Sequence, residues 1–326
     1  MNIEQMTATA NLRDLGFAAR EADFLYLVGT HSGVFVLNHY RTFIKSNTRG
    51  WPEMRLMEKL SARNYVTRIG ITRTYQVIHL DNKAFYRAIL SEDSRLRREM
   101  SPSLMRQRLQ YMDYISRNPD AWYLTSDDSR IDILTGQFNV PKDVLPRQVY
   151  KSRKSDATTV RYFPERFPMF VMETSKDVSL GVVYGEDPAN SFQSVRKFIT
   201  TNRALFDAIQ SLHFVYISSS ERRRQLTIRL LSGIFSRSHA AITPELERYF
   251  TLRKLIDDRQ ERMFSEDDYA FWESSFKRFS DAKYAPLYAE FCGQKSFDSV
   301  SCASPRRMFT CETFVPTTTL NEGLEA

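Results

Sequence analysis

Four carboxylates near the ends of predicted strands are the residues best placed to hold a metal ion. They are Glu173, Asp177, Glu186 and Asp187. Carboxylate oxygens are ligands of Mg²⁺, and a bound Mg²⁺ can activate water to hydrolyse a phosphodiester. The usual nuclease pattern, an acid followed by acid-x-lysine, is absent: Lys176 follows Glu173 by three residues, which places the two on opposite faces of a strand. Ordinary turn acids are therefore the favoured interpretation.

Two basic runs could instead bind phosphate. In a predicted loop over 150–155, side chains with hydroxyl groups alternate with basic side chains. Both kinds of group can bind phosphate oxygens, and such contacts position a protein on DNA without recognising the base sequence. Lys151, Arg153 and Lys154 are the candidate contacts, and an ordinary exposed loop is the alternative. Arg222–Arg224 begin a predicted helix, where the helix dipole disfavours cations. That placement indicates either an anionic partner or a frayed helix end.

The strongest concentration of charge lies nearer the N-terminus. Between His39 and Arg73 there are eight Lys or Arg residues and two acids, and residues 1–110 carry seven more basic than acidic residues. This excess equals the net charge of the whole chain, +7. Charge that serves solubility is spread out, whereas charge gathered in one segment is typical of a module that meets a polyanion.

The elements that must position these charges have a recognisable order. Hydrophobic spacing predicts helices over 18–30, 37–44 and 52–64, then strands over 65–67 and 74–80 with Gly70 in the turn. Gly33 is placed to end the first helix in a left-handed conformation. Pro52 starts the third helix, because its missing N–H would be unpaired there. This is the order of a winged helix-turn-helix.

The third predicted helix divides into an apolar and a basic face. Arg55, Lys59 and Arg63 recur every four residues and so share one face. A helix of this length spans about 18 Å and fits the major groove of B-DNA. A solvated helix face is the alternative. The sequence predicts these DNA contacts in the N-terminal part: Arg49, Arg55, Lys59, Arg63, Arg68 and Arg73.

The remainder of the chain predicts a second domain. A boundary is expected near residue 95, with a connecting helix over 96–120 and an α+β domain over 121–294. The order β-β-β-α-β, followed by helices, predicts one small mixed sheet and a helical C-terminal part. The segment 295–326 is rich in Ser, Thr and Pro and is expected to be flexible in part. The predicted fold class is α+β.

Several functional classes lack their sequence patterns. We find no P-loop, GxGxxG, GxSxG, HExxH or paired CxxC motif, so no catalytic residue, cofactor or metal site is predicted. Three cysteines near the C-terminus, Cys292, Cys302 and Cys311, indicate no disulfide framework. No signal-like start or long apolar stretch occurs, and the sequence predicts a cytoplasmic protein without membrane contact.

The run LGFAAREADFLYLVGTHSGVFVLNHYRTF, followed by a charged helix and a basic wing, resembles the winged helix of the replication-relaxation family. Members of that family are carried on bacterial plasmids and integrated elements. The resemblance covers about the first third of the chain. It implies a duplex-DNA-binding regulator of transcription or replication, with a second domain like a degenerate restriction endonuclease. The carboxylate and lysine pattern of that fold is missing, so nuclease activity is not carried over.

Two alternatives stay open from the residues alone. The first is a metal-dependent nuclease that uses the strand-end carboxylates. The second is a protein-interaction adaptor in which the winged helix binds another protein. In the favoured interpretation, a DNA-binding regulator, the C-terminal domain serves for homodimerisation, for partner contact or for extra phosphate binding.

Overall fold

The computed structural model describes residues 3–46, 50–70, 76–151, 158–173, 178–186, 192–235, 244–259, 263–280, 284, 288, 291–292 and 308–317. The chain forms two compact units: residues 1–231 with 307–326, and residues 232–306. The N-terminal helices and the largest sheet both belong to the first unit. This division does not coincide with the boundary expected near residue 95, and independent folding of residues 1–95 stays a prediction.

The N-terminal part alternates short helices with a small antiparallel sheet. Three helices lie within a few residues of their predicted positions (α2, α3 and α4 below), whereas α1 and β1 were not predicted. The sheet has the order β1-β3-β2. The elements are α1 (Ile3–Asp14), α2 (Ala19–His31), β1 (Val34–Phe35), α3 (Leu37–Phe43), α4 (Trp51–Ala62), β2 (Val66–Gly70), β3 (Gln76–Leu80) and α5 (Lys83–Ala88).

Aromatic side chains fill the core of this part. The Phe24 ring on α2 lies 5.3 Å from that of Phe35 and 5.1 Å from that of Tyr40. Gly33 ends α2 with a φ of 78° and donates its N–H to the Val28 carbonyl at 2.7 Å. The predicted left-handed cap is therefore confirmed, and it lets the chain turn directly into β1.

Helix α6 (Pro102–Arg117) joins this part to the larger sheet. It begins at Ser101, whose hydroxyl caps the helix by accepting from Leu104 N–H at 3.4 Å. Its contacts reach α2, α3 and β1 on one side and a strand of the larger sheet on the other. The predicted connecting helix thus packs as a core element of the first unit.

A buried polar contact fixes α3 on α6. Val36 N–H donates to His39 Nδ1 at 3.3 Å, so the proton of the neutral ring is on Nε2. Nε2 then donates to Asp113 Oδ1 at 3.2 Å, and both side chains are 1% exposed. Thr317 Oγ1 donates to the same carboxylate oxygen at 2.6 Å. This carboxylate therefore connects three segments that are distant in sequence.

The larger sheet is mixed, with the order β10-β9-β8-β7-β4. Strands β8, β9 and β10 are parallel, and β7 is antiparallel to both β8 and β4. The predicted α+β class with a small mixed sheet is confirmed. The elements are β4 (Trp122–Tyr123), α7 (Asp127–Gly136), β5 (Arg147–Lys151), β6 (Thr158–Tyr162), β7 (Met169–Glu173), β8 (Val178–Gly185), α8 (Gln193–Thr201), α9 (Arg203–Ala208), β9 (Ser211–Ile217), α10 (Glu221–Phe235), α11 (Pro244–Asp257), α12 (Glu266–Phe279) and β10 (Met308–Phe314).

The loop expected from residue 150 was wrong, whereas partial flexibility of residues 295–326 stays a prediction. The predicted loop from residue 150 begins inside β5, which pairs with β6 as a separate two-stranded hairpin. Strand β6 therefore does not join the main sheet. Part of the segment expected to be flexible forms β10, the edge strand beside β9. In both cases the strand forms its backbone hydrogen bonds with another segment of the chain. The spacing of apolar residues within one segment does not show which other segment it pairs with.

A glycine in β8 is needed because of a neighbouring ring. Gly181 lies opposite Phe170 of β7, and a Cβ at Gly181 would lie 2.3 Å from that ring. We expect Gly181→Ala to lower the free energy of unfolding by about 1–3 kcal/mol, because the ring cannot move without disturbing the core. Urea unfolding followed by circular dichroism measures this change. Gly136→Ala is the control, since a Cβ there meets nothing within 4 Å; equal losses in both variants would contradict the steric explanation.

The second unit has its own aromatic core. Leu246, Tyr249 and Phe250 of α11 pack with Phe279 of α12. Tyr249 also stacks on Trp272 with ring centroids 4.9 Å apart. Within the described ranges of both units, no helix combines the length and apolar character required to span a bilayer.

Candidate nucleic-acid interface

Helix α4 presents one buried and one exposed face. Leu56, Met57 and Leu60 are buried against the core. On the other face, Trp51 is 67% exposed and Met54 is 60% exposed, which is unusual for side chains of this size. The exposed face of α4 is therefore partly apolar as well as basic, a feature that the charge pattern did not predict.

The first turn of α4 is well ordered by local contacts. Gly50 N–H donates to Glu53 Oε2 at 3.1 Å, which satisfies one of the free donors at the helix start. The Arg55 guanidinium lies 4.0 Å from the centroid of the Trp51 ring, a cation–π distance. Among the described residues no acid forms an ion pair with Arg55. Its charge is thus held at the helix surface and available to an anion.

Lys59 has a partner inside the protein. Its Nζ lies 2.5 Å from Glu21 Oε2, and the Glu21 side chain is only 8% exposed. The same oxygen accepts from Ala18 N–H at 2.7 Å, so Glu21 also caps α2. The four-residue spacing placed Lys59 on the face of Arg55, but a spacing cannot show which residue lies opposite. The structure pairs Lys59 with Glu21, and its role as a DNA contact stays a prediction.

This ion pair leads to a stability prediction. We expect Lys59→Ala to lower the free energy of unfolding by about 1–2 kcal/mol, because it leaves the buried Glu21 carboxylate without its cation. The value is smaller than for a fully buried pair, since Lys59 is 29% exposed. Chemical denaturation measures the change, with Arg55→Ala on the same helix as control. If both variants unfold at the same denaturant concentration, the ion pair contributes nothing.

Arg63 and Arg68 lie beside the exposed face. Arg63 caps the end of α4 and donates from Nη1 to the Lys59 carbonyl at 3.1 Å. Arg68, on β2, donates from Nη2 to Ser61 Oγ on α4 at 3.3 Å. Both arginine side chains are exposed. The contact between Arg68 and Ser61 shows that β2 and α4 present basic groups on adjoining surfaces.

The remaining predicted DNA contacts lie wholly or partly outside the described residues. Arg49, Arg73, Arg153 and Lys154 lie outside the described residues, and of Lys151 only the backbone, at the end of β5, is described. The β5–β6 hairpin is exposed along much of its length, including Val149, Tyr150 and Val160. The sequence patterns did not predict that Trp51 is a surface residue. Its only signal was an aromatic residue directly before the helix-starting Pro52.

The strand-end carboxylates do not gather into a site where they are described. Glu186 is buried, accepts from Ser218 Oγ at 2.8 Å and lies 3.0 Å from Arg223 Nη1. Arg224 pairs with Glu221. The arginines that begin α10 are therefore largely neutralised within the protein. Asp177 and Asp187 lie outside the described residues, and within the described ones no group of three His, Cys, Asp or Glu could hold a metal.

Comparisons with protein-family models, with curated proteins and with solved structures give no match to this chain. The resemblance to the replication-relaxation family therefore stays a prediction from the sequence.

Proposed function

We propose that this chain binds duplex DNA through an N-terminal winged helix-turn-helix and acts as a regulator of transcription or replication. The observation that carries the proposal is the element order helix, strand, helix, helix, strand, strand together with the sheet order β1-β3-β2. In this arrangement α3 and α4 form the helix pair, and the β2–β3 hairpin forms the wing. The exposed Arg55 lies near the N-terminus of α4, the part of a recognition helix that meets base edges.

Dimensions and charge support this assignment. The twelve residues of α4 span about 18 Å, which fits a major groove about 12 Å wide. Arg68 on the wing is positioned for the adjacent phosphates. The charge excess of the N-terminal third favours phosphate binding in general.

A biological setting is part of the proposal. The resemblance to replication-relaxation proteins favours a regulator carried on a bacterial mobile element and working in the cytoplasm. The larger sheet, with β10 and β4 at its edges, would serve for homodimerisation or partner contact. An adaptor that binds protein through Trp51 and Met54 is the competing function, because exposed apolar side chains also suit protein surfaces.

Binding of the full chain to labelled duplexes across a range of salt concentrations tests the proposal. We expect log affinity to fall linearly with log salt, with a slope near −0.9 for each phosphate contacted. Glu58→Gln should bind more tightly than wild type, because Glu58 is the exposed acid on α4. Arg229→Gln, an exposed arginine on α10, is the control and should leave affinity unchanged. Binding that is absent, or independent of salt, would favour the adaptor.

A further inference from the structure

A cleft in the first unit has no role in the function proposed above. Its volume is about 1170 Å³. The wall includes Gly29 and Thr30 of α2, residues 90–94 after α5, residues 125–130 and Asp132 at the start of α7, and Arg166 before β7. It thus lies where the N-terminal helices meet the segments that lead into the larger sheet.

Two arginines are buried in and beside this cleft. Arg130, on the cleft wall, is 3% exposed, and Arg108 of α6 is 7% exposed. Arg130 donates from Nη2 to the Phe167 carbonyl at 3.2 Å and from Nε to the Leu124 carbonyl at 3.3 Å. Its Nη1 has no hydrogen-bond partner among the described residues, and the same is true of Arg108 Nε.

These arginines also lack a carboxylate partner. Arg108 donates from Nη1 only to carbonyls, those of His31 at 2.9 Å and Arg166 at 2.7 Å. Within the described part of the chain, no ion pair forms with Arg108, Arg130 or Arg166. A buried charge without a counterion is costly, so natural proteins normally pair such groups.

Burial and neighbouring positive charges lower the pKa of two residues of this region, Arg130 and His31. Burial, with added repulsion from Arg166 and Arg108, lowers the pKa of Arg130 to about 10, against a partial offset from Asp127. Burial and the charges of Arg130 and Arg108 lower the pKa of His31 to about 3. His31 is therefore neutral at physiological pH and adds no further charge.

We propose that the cleft binds a small molecule through an anionic group, a phosphate or a carboxylate, that lies against Arg130 and Arg166. Arg166 is half-buried, lines the cleft and supplies the accessible charge, while Arg130 supplies the free Nη1 donor. That donor is shielded from solvent, so the ligand shifts a neighbouring side chain on entry. The anion would give Arg130 and Arg166 the ion-pair partner that no described residue provides.

The other residues of the wall narrow the ligand class. Besides Arg87 and Arg161, the wall carries the acids Glu4, Glu92, Asp93, Asp127, Asp128 and Asp132. Their carboxylates would repel a ligand of high negative charge but would accept hydrogen bonds from amines or hydroxyls. The ligand is therefore a polar molecule that carries one anionic group beside hydrogen-bond donors, such as a sugar phosphate or an amino acid.

Arg166→Gln separates a ligand site from a purely structural cluster. The substitution removes a side chain that makes no hydrogen bond or ion pair with described residues, and it leaves the carbonyl that accepts from Arg108. Without ligand, we expect the variant to unfold at a higher temperature than wild type, because repulsion among the guanidinium groups is reduced. A structural role for the side chain predicts the opposite sign.

The experiment measures thermal unfolding of the full chain with increasing inorganic phosphate or malonate at constant ionic strength. We expect wild type to be stabilised by at least one of these anions. The probe that acts at lower concentration identifies the phosphate or the carboxylate class. Arg166→Gln should need about tenfold more anion for the same shift, a loss of about 1.4 kcal/mol. Arg166→Lys, which keeps the charge, should respond between the two.

Three outcomes would overturn the proposal. One is no stabilisation of wild type by either anion. Another is an equal response of wild type, Arg166→Gln and the exposed control Arg229→Gln, which indicates a general salt effect. The third is a lower unfolding temperature of Arg166→Gln in the absence of anion. None of these measurements depends on DNA binding. A negative result therefore overturns the anion site without bearing on the proposed DNA-binding function.

Discussion

Asp113→Ala is expected to lower the free energy of unfolding by about 2–3 kcal/mol, because it leaves the buried N–H of the neutral His39 ring without its charged acceptor. The substitution removes the acceptor for His39 Nε2 and for Thr317 Oγ1 at once. The imidazole N–H would then be buried without its carboxylate, and α3 would lose its polar attachment to α6. Urea unfolding monitored by circular dichroism gives the free energy directly.

Asp120→Ala is the matched control for this substitution. Asp120 also contacts a basic residue, Lys45 at 3.9 Å, but its side chain is 92% exposed. Exposed ion pairs contribute little, so we expect a change near zero. If the free energy of unfolding falls by a similar amount in Asp113→Ala and Asp120→Ala, burial does not explain the contribution of the contact between Asp113 and His39.

Arg55→Ala is expected to remove most of the sequence preference of DNA binding. An arginine that pairs with guanine provides about 1–3 kcal/mol of discrimination, or about 5–150-fold in relative affinity. Because the contact requires two donors in a planar fork, Arg55→Lys should restore little of it. Selection from a pool of random duplexes, followed by affinity measurements on selected and scrambled sites, measures the effect.

Arg68→Ala separates base contact from phosphate contact. We expect it to weaken selected and scrambled sites alike and to reduce the salt slope by about one. Uniform loss in both Arg55→Ala and Arg68→Ala would mean that the protein recognises only charge or shape. No loss in either variant, with the far-ultraviolet spectrum unchanged, would show that α4 is not the recognition helix.

Local patterns predicted much of the fold. The apolar period of α2, the cap at Gly33 and the start of α4 at Pro52 are all encoded within a few neighbouring residues. Strands β1 and β10 could not be found this way. β1 has only two residues, and β10 is ordered by pairing with β9, from which a whole unit separates it in sequence.

The candidate sites were predicted less completely. A spacing of four residues placed Arg55 on an exposed face, but the same spacing could not show that Lys59 pairs with Glu21. The buried arginines were not predicted at all. Arg130 and Arg166 meet because α7 and the segment before β7 pack together, and nothing in the residues around either one indicates a shared position.

The pairing of β10 with β9 bears on how the chain folds during synthesis. β9 leaves the ribosome well before residues 308–314, because the whole second unit is translated in between. At about 5–20 residues per second, the nascent sheet has an unpaired edge at β9 for on the order of ten seconds. During that interval the edge can pair with a β10 segment from another copy. Translation speed through residues 232–306 would therefore control how much of the product is strand-exchanged or aggregated.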